Sequence, residues 1–189
     1  MPAAHRPSQR VAALEATLDL LRAGGNLSLE AAARAAGMSK PGLMYHFATK
    51  EALVAALVDH LVDGYERDFI SLLPAQPTQG TEPEGLSASE RIAAYVRWSL
   101  TYAHDAADLV ILCDPKLRVP MAARWADRFR GWVEVPAEIA AADRARLYAV
   151  RLMADGCWFA DASGVLPVPL EDRPGLLALA LDLLEGEGS

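Results

Sequence analysis

The sequence predicts an all-α fold in two parts, a three-helix head over residues 1–52 and a larger helical domain over residues 53–189. Apolar residues recur at spacings of three and four through most of the chain, which is the period of an amphipathic helix. Glycine and proline stand between these stretches as turn residues. No convincing strand pattern of alternating apolar and polar residues appears, so the prediction contains no sheet.

The composition is that of a folded protein with a sizeable core. Of the 189 residues 52% are hydrophobic, yet no uninterrupted apolar run approaches the roughly 18 residues that span a bilayer. The opening sequence MPAAHRPSQR also lacks the apolar segment of a secretory signal. We therefore expect a cytoplasmic protein without a membrane partner. Two cysteines are too few to suggest a disulfide framework.

The head begins with a helix over about residues 8–23, followed by two shorter helices. Ser28 is expected to cap the first short helix, because its hydroxyl can accept a hydrogen bond from an amide of the first turn. Gly37 stops that helix, since glycine adopts a left-handed backbone at little cost. Ser39 is the next N-cap, so the chain reverses within about three residues. Two capped helices around a tight turn form a helix-turn-helix.

The second short helix is expected over residues 40–47. Pro41 is tolerated in its first turn, where amides lack intrahelical partners. Leu43 and Phe47 lie four residues apart and are expected to face inward. The outer side of the helix is left for a partner, together with its N-terminus, which favours phosphate through its free amides and dipole.

This outer side predicts contact with double-stranded DNA. Thr49 is expected to cap the fourth helix and to place Lys50 beside the short helix, where Tyr45 and Lys50 bind phosphate. Residues 1–60 carry six Lys/Arg and five Asp/Glu, whereas residues 61–189 carry twelve and twenty. The net charge of -7 therefore lies outside the head, and Arg6, Arg10, Lys40 and Lys50 can flank the reading helix. The predicted DNA-binding residues are Ser28, Ser39, Lys40, Pro41, Gly42, Tyr45, His46, Thr49 and Lys50.

The head resembles the tetracycline-repressor-like (TetR) family of bacterial transcription regulators. The matching residues are the run LSLEAAARAAGMSK from Leu27, the triplet YHF at Tyr45 to Phe47 and the sequence TKEAL at Thr49 to Leu53. A weaker resemblance links RLYAVRLMADGCWFAD, residues 146–161, to the penultimate helix of the family's C-terminal domains. The resemblance implies a ligand-responsive regulator, more often a repressor, that binds a palindromic operator as a homodimer.

Two positions depart from the usual family pattern. Gly42 stands where a small hydroxyl residue is common, and Met44 stands where an aromatic residue often contacts phosphate. Glycine within a helix costs about 1 kcal/mol of stability relative to alanine. Two interpretations of Gly42 stay open: it lets the backbone approach a base edge or a thymine methyl closely, or it has simply lost a contact.

The larger domain is expected to begin with a long fourth helix that ends before Pro74. Further helices are expected at about 88–104, 106–113, 116–132, 143–163 and 174–185. The last two are apolar on more than one side, whereas an ordinary surface helix keeps one polar face. A two-fold dimer that joins these helices into a four-helix bundle buries the extra side, as the resemblance also implies. The alternative is burial within one chain. The predicted dimer residues are Leu147, Tyr148, Leu152, Trp158, Phe159, Leu176, Leu179 and Leu183.

A pocket for a small-molecule effector is predicted among the large or soft side chains of helices four to eight. An apolar or aromatic molecule suits such a lining. The alternative is that these side chains form plain core, as residues at helical spacing often do. The predicted pocket residues are Tyr65, Phe69, Trp98, Tyr102, Trp125, Phe129, Met153 and Cys157.

Other classes of function fit the sequence less well. An enzyme is not expected, because the chain offers no metal-ligand spacing, no glycine-rich phosphate loop and no nucleophile beside a base. No cofactor or metal is expected for the same reason. The remaining alternative is a helical dimeric interaction protein that has lost DNA binding, suggested by Gly42, Met44 and the small positive charge of the head.

Overall fold

The computed structural model describes residues 8–73, 83–112 and 114–186. Over these ranges the chain forms eight α-helices and no strand, so the all-α prediction is confirmed. None of the described helices combines the length and the apolar character that a bilayer crossing requires. The helices are α1 Gln9–Arg22, α2 Leu29–Ala35, α3 Lys40–His46, α4 Lys50–Ser71, α5 Ala88–Thr101, α6 Arg118–Val133, α7 Ala141–Ser163 and α8 Arg173–Glu185.

The expected caps form at both short helices. The Ser28 hydroxyl accepts a hydrogen bond from Ala31 N at 3.1 Å, and the Ser39 hydroxyl accepts one from Gly42 N at 3.1 Å. Between α2 and α3, Gly37 has a φ of 65°, the left-handed conformation that glycine adopts most readily. The turn of the helix-turn-helix therefore forms where the sequence predicts it.

The segment expected to be a helix over residues 106–113 is a 3₁₀ helix over Ala106–Leu112. It is interrupted at Leu109, where φ is -86° and ψ is 16°. Short helical segments favour the tighter i to i+3 hydrogen bonding when they cannot extend into further turns. The Asp114-Pro115 sequence limits this segment, because the residue before a proline is biased away from the helical region.

The chain divides into two compact units. The first contains residues 1–61 and 106–125, and the second contains residues 62–105 and 126–189. In the first unit Leu14, Leu18 and Leu43 are fully buried. In the second unit α5 packs against α7 and α8. The functional boundary predicted at residue 52 stays a prediction.

The start of α5 carries a reciprocal cap that should contribute measurably to stability. The Ser87 hydroxyl accepts from Glu90 N at 3.2 Å, and the Glu90 carboxylate accepts from Ser87 N at 2.8 Å. The Ser87 hydroxyl also donates to Glu90 Oε2 at 2.7 Å, and this bond, together with the one from Ser87 N, holds the pKa of Glu90 below its ordinary value. We expect Ser87→Ala to lower the free energy of unfolding by about 1 kcal/mol. Urea denaturation measures this, with Ser89→Ala as the control, because Ser89 makes neither capping bond. Equal losses in both variants would contradict a capping role.

Candidate DNA-binding surface, effector pocket and dimer face

Helix α3 has one buried side and one exposed side. Leu43 and Phe47 are fully buried, and the Arg10 guanidinium lies 5.1 Å from the centre of the Phe47 ring. Tyr45, in contrast, is 87% exposed, and its ring meets the His46 ring edge to face at 5.2 Å. The buried pair fixes α3 to the head while Tyr45 stays accessible to a partner.

Three predicted contact residues cap the helices around this surface. Ser28 and Ser39 cap α2 and α3 as described, and the Thr49 hydroxyl accepts from Ala52 N at 3.1 Å. Each hydroxyl uses an acceptor lone pair in its cap, and a hydroxyl also carries a donor hydrogen. Capping and donation to a phosphate oxygen are therefore compatible at all three residues.

The packing of the head does not require glycine at position 42. A Cβ added to Gly42 meets Ser39 Oγ at 3.2 Å and Met38 Cε at 3.8 Å, and no third atom within 4 Å. The backbone of Gly42 also does not have a positive φ. Pro41 and Met44 beside it are exposed. A small side chain at position 42 therefore needs only a slight shift of a side-chain oxygen.

Both lysines of this surface are paired with acidic side chains of the same unit. Lys40 Nζ donates to Glu30 Oε1, and Lys50 Nζ donates to Asp114 Oδ2 at 2.7 Å. These hydrogen bonds hold the pKa of each carboxyl group below its ordinary value, so both acids are ionised at neutral pH. A phosphate that approaches either lysine therefore meets a carboxylate of the protein, which occupies one of the three Nζ donors and repels the phosphate. Arg6 lies outside the described residues.

Sequence reasoning missed both acidic partners. Glu30 is ten residues before Lys40, on the preceding helix, so its pairing depends on the angle between α2 and α3. Asp114 is 64 residues from Lys50, and no local pattern connects them. Only the fold of the first unit brings Asp114 to the start of α4.

Four of the predicted pocket residues form a packed aromatic cluster in the second unit. The ring centres of Tyr65 and Trp98 are 4.6 Å apart, and those of Phe69 and Trp98 are 5.2 Å apart. Phe129 lies 5.9 Å from Phe69, and Trp132, which was not predicted, lies 5.0 Å from it. These distances are those of rings in mutual contact. In this conformation the rings fill the space between them.

The other predicted pocket residues are distributed differently. Cys157 is buried in α7, and burial raises the pKa of its thiol. Tyr102 and Met153 are half-buried in the second unit. Trp125 belongs to the first unit, whereas the other seven predicted residues belong to the second. The pocket assignment stays a prediction.

The predicted dimer residues of α7 and α8 leave a broad apolar face uncovered in the single chain. Leu152 is 59% exposed and Leu179 is 54% exposed, and Tyr148 and Phe159 are exposed as well. Trp158, Leu176 and Leu183 are half-buried. Leu147 differs from the rest, because it is buried within the chain and is thus already part of the protomer's core.

The connection between α7 and α8 adds apolar surface that sequence reasoning missed. Val165, Leu166 and Leu170 are all exposed, and Leu166 is 90% exposed with a φ of 51°. The sequence GVLPVPL carries a signal for this, since it combines turn residues with apolar side chains that have no helix to bury them.

Two family profiles match the chain. Residues 13–57 match the family described as "Bacterial regulatory proteins, tetR family", and residues 89–185 match the "Tetracyclin repressor-like, C-terminal domain". No curated protein matches the chain at a significant level. The two profiles together cover the helix-turn-helix and most of the second unit.

Solved structures of similar proteins share the fold. A putative TetR-family transcriptional regulator from Rhodococcus sp. is 18% identical with a TM-score of 0.64, covering 95% of this chain and 100% of that one. A TetR-family member from Streptomyces coelicolor A3 is 22% identical with a TM-score of 0.55, covering 92% and 98%. The multidrug binding protein EbrR, complexed with malachite green, is 21% identical with a TM-score of 0.60, covering 94% and 98%. The present chain belongs to the TetR family of bacterial transcription regulators.

Proposed function

We propose that the protein is a ligand-responsive repressor that binds a palindromic operator in the cytoplasm as a homodimer. Residues 1–52 are its DNA-binding domain, and residues 53–189 bind the effector and form the dimer. The observation that carries this proposal is the exposed Tyr45 on a helix that Leu43 and Phe47 hold by its other side. An aromatic hydroxyl with no role in packing suits contact with a phosphate.

The proposed operator contact is made by α3 in the major groove. Tyr45, Lys40 and Lys50 bind phosphate, and Ser28, Ser39 and Thr49 donate their hydroxyl hydrogens to the backbone of the DNA. Pro41 and His46 complete the contact surface. For Gly42 we propose the first of its two interpretations, in which the missing side chain lets the helix come closer to a base edge, because the packing of the head does not require a glycine there.

The apolar face on α7 and α8 supports the proposed homodimer. Four large apolar side chains that are 40% or more exposed lie on these two helices, and exposed apolar patches of this kind mark sites of association. A two-fold dimer formed through this face carries two copies of α3. Successive major grooves on one side of the duplex are about 34 to 36 Å apart, so the dimer determines which operators fit.

Effector binding is proposed to release the DNA by favouring a different separation of the two heads. A ligand changes operator affinity only if it binds the two conformations unequally, and a coupling of about 1–3 kcal/mol changes affinity roughly 5- to 150-fold. The aromatic cluster of the second unit suits an apolar or aromatic effector once its rings move apart. The malachite green complex of EbrR supports this by analogy, because that ligand is aromatic.

Fluorescence anisotropy with labelled DNA from upstream of the protein's own gene tests the proposal. We expect specific binding that a scrambled duplex does not compete away, and a marked loss of affinity in Tyr45→Ala. Thr101→Ala is the control, because it removes an exposed hydroxyl of α5 in the second unit, outside the head and outside the predicted dimer face. Equal binding to specific and scrambled duplexes, or an unchanged affinity in Tyr45→Ala, would favour an interaction protein without operator recognition.

A further inference from the structure

A cavity of about 700 Å³ opens in the second unit at the carboxyl end of α6. It shares none of its lining residues with the predicted effector pocket. Arg91 of α5 lines one side, and Leu86, Val135 and Pro136 supply apolar surface. A space of this size falls within the range of sites for small organic molecules.

Arg91 is an unusual residue to find in such a wall. It is only 9% exposed, and its Nη1 donates to the carbonyl oxygen of Gly131 in the last turn of α6. Its Nε is buried and has no hydrogen-bond partner. Among the residues that the structure describes, no carboxylate forms an ion pair with Arg91. The guanidinium is thus a buried cation that one backbone carbonyl compensates.

A buried guanidinium in this state favours an anionic ligand. Charged arginine is rarely buried without a paired anion, because the charge loses hydration on burial. The negative end of the α6 dipole offsets part of that loss through the Gly131 carbonyl. Most of the five guanidinium donors remain for another acceptor, and their planar fork matches a carboxylate in bidentate geometry.

The rest of the lining restricts the class of anion. Glu134 and Glu138 lie in the wall with Asp127, and the carboxylate of Glu134 is 3.9 Å from Arg130 Nη1. These acidic groups repel a ligand with several negative charges, such as a polyphosphate. The lining contains three acidic side chains and two arginines, Arg91 and Arg130, so a ligand with a single negative charge is expected to place it beside Arg91 and its hydrocarbon body against the apolar part of the wall.

We propose that this cavity binds a small organic monocarboxylate whose carboxylate pairs with Arg91 and whose hydrocarbon part lies against Leu86, Val135 and Pro136. The proposal goes beyond the DNA-binding function and does not depend on it, because it concerns binding to the free protein. It also assigns a ligand with a carboxylate group to a site other than the aromatic cluster.

Isothermal titration calorimetry of the full-length protein with benzoate tests this inference. We expect benzoate to bind with a Kd of about 1 mM or tighter, and benzamide, its neutral isostere, to bind at least about tenfold more weakly because it lacks the charge. Arg91→Met should lower benzoate affinity by a similar factor. Arg67→Met is the matched control, since Arg67 is an exposed arginine of α4 in the same unit, and its benzoate affinity should equal that of the unmodified protein.

Several results would overturn the inference. These are the absence of benzoate binding, equal binding of benzamide, undiminished benzoate affinity in Arg91→Met, or tighter binding of inorganic phosphate than of benzoate. If Arg91→Met does not fold, Arg91→Lys serves instead, because it keeps the charge but loses the bidentate fork. If the operator assay shows no DNA binding, the benzoate titrations can still be interpreted, so the two proposals are tested separately.

Discussion

Leu152→Glu combined with Leu179→Glu is expected to convert the protein from a dimer to a monomer and to lower operator affinity about 10²- to 10⁴-fold. In a two-fold interface the same patch occurs on both copies, so each substitution places a buried charge on both sides. A buried, unpaired carboxylate is strongly unfavourable. The loss of DNA binding follows because the second head no longer binds as part of the same molecule.

Sedimentation velocity gives the oligomeric state of this variant, and anisotropy gives its operator affinity. Val119→Glu is the control, because Val119 is an apolar residue of α6 with 73% exposure that lies outside α7 and α8. The control should remain dimeric. A double variant that still sediments as a dimer would exclude this face as the interface, and a monomer with undiminished affinity would exclude dimerisation as a requirement for binding.

The local features of the head could be predicted from sequence because short-range rules determine them. Ser28 and Ser39 act on amides three residues away, and Gly37 needs only its own backbone freedom. Leu43 and Phe47 are separated by one helical turn, so a single buried side follows from their spacing. The family resemblance then extended this local prediction to the whole fold.

The polar partners of the site could not be predicted in this way. The contact between Lys50 and Asp114 joins residues far apart in sequence, and its existence depends on the fold of the first unit, which brings Asp114 to the start of α4. The aromatic residues could be selected as large side chains at helical spacing, but this spacing does not distinguish a packed cluster from an open pocket. Arg91 carried no signal, since only the burial of its guanidinium makes it unusual.

The pairing of Lys50 with Asp114 predicts opposite effects of two substitutions on operator binding. Asp114→Asn removes the charge that competes with phosphate for Lys50, so operator affinity should rise by roughly 2- to 5-fold per protomer, the scale of an ion pair near the protein surface. Lys50→Ala should weaken binding at all sequences. It should also reduce the slope of log affinity against log salt by about 1 per lysine.

The double variant Lys50→Ala with Asp114→Asn distinguishes competition between Asp114 and phosphate at Lys50 from a general effect of negative charge on DNA affinity. If Asp114 acts through Lys50, Asp114→Asn should raise affinity much less in the Lys50→Ala background than in the unmodified protein, as a double-mutant cycle measures. Asp19→Asn removes the same charge from an exposed ion pair of the first unit, that with Arg22 at 2.8 Å, and gives the size of the general effect. If Asp114→Asn and Asp19→Asn raise operator affinity equally, Asp114 acts only as one more negative charge on the protein and not through Lys50. If Asp114→Asn raises affinity more than Asp19→Asn does, and this increase disappears in the Lys50→Ala background, Asp114 is the internal competitor of the operator phosphate.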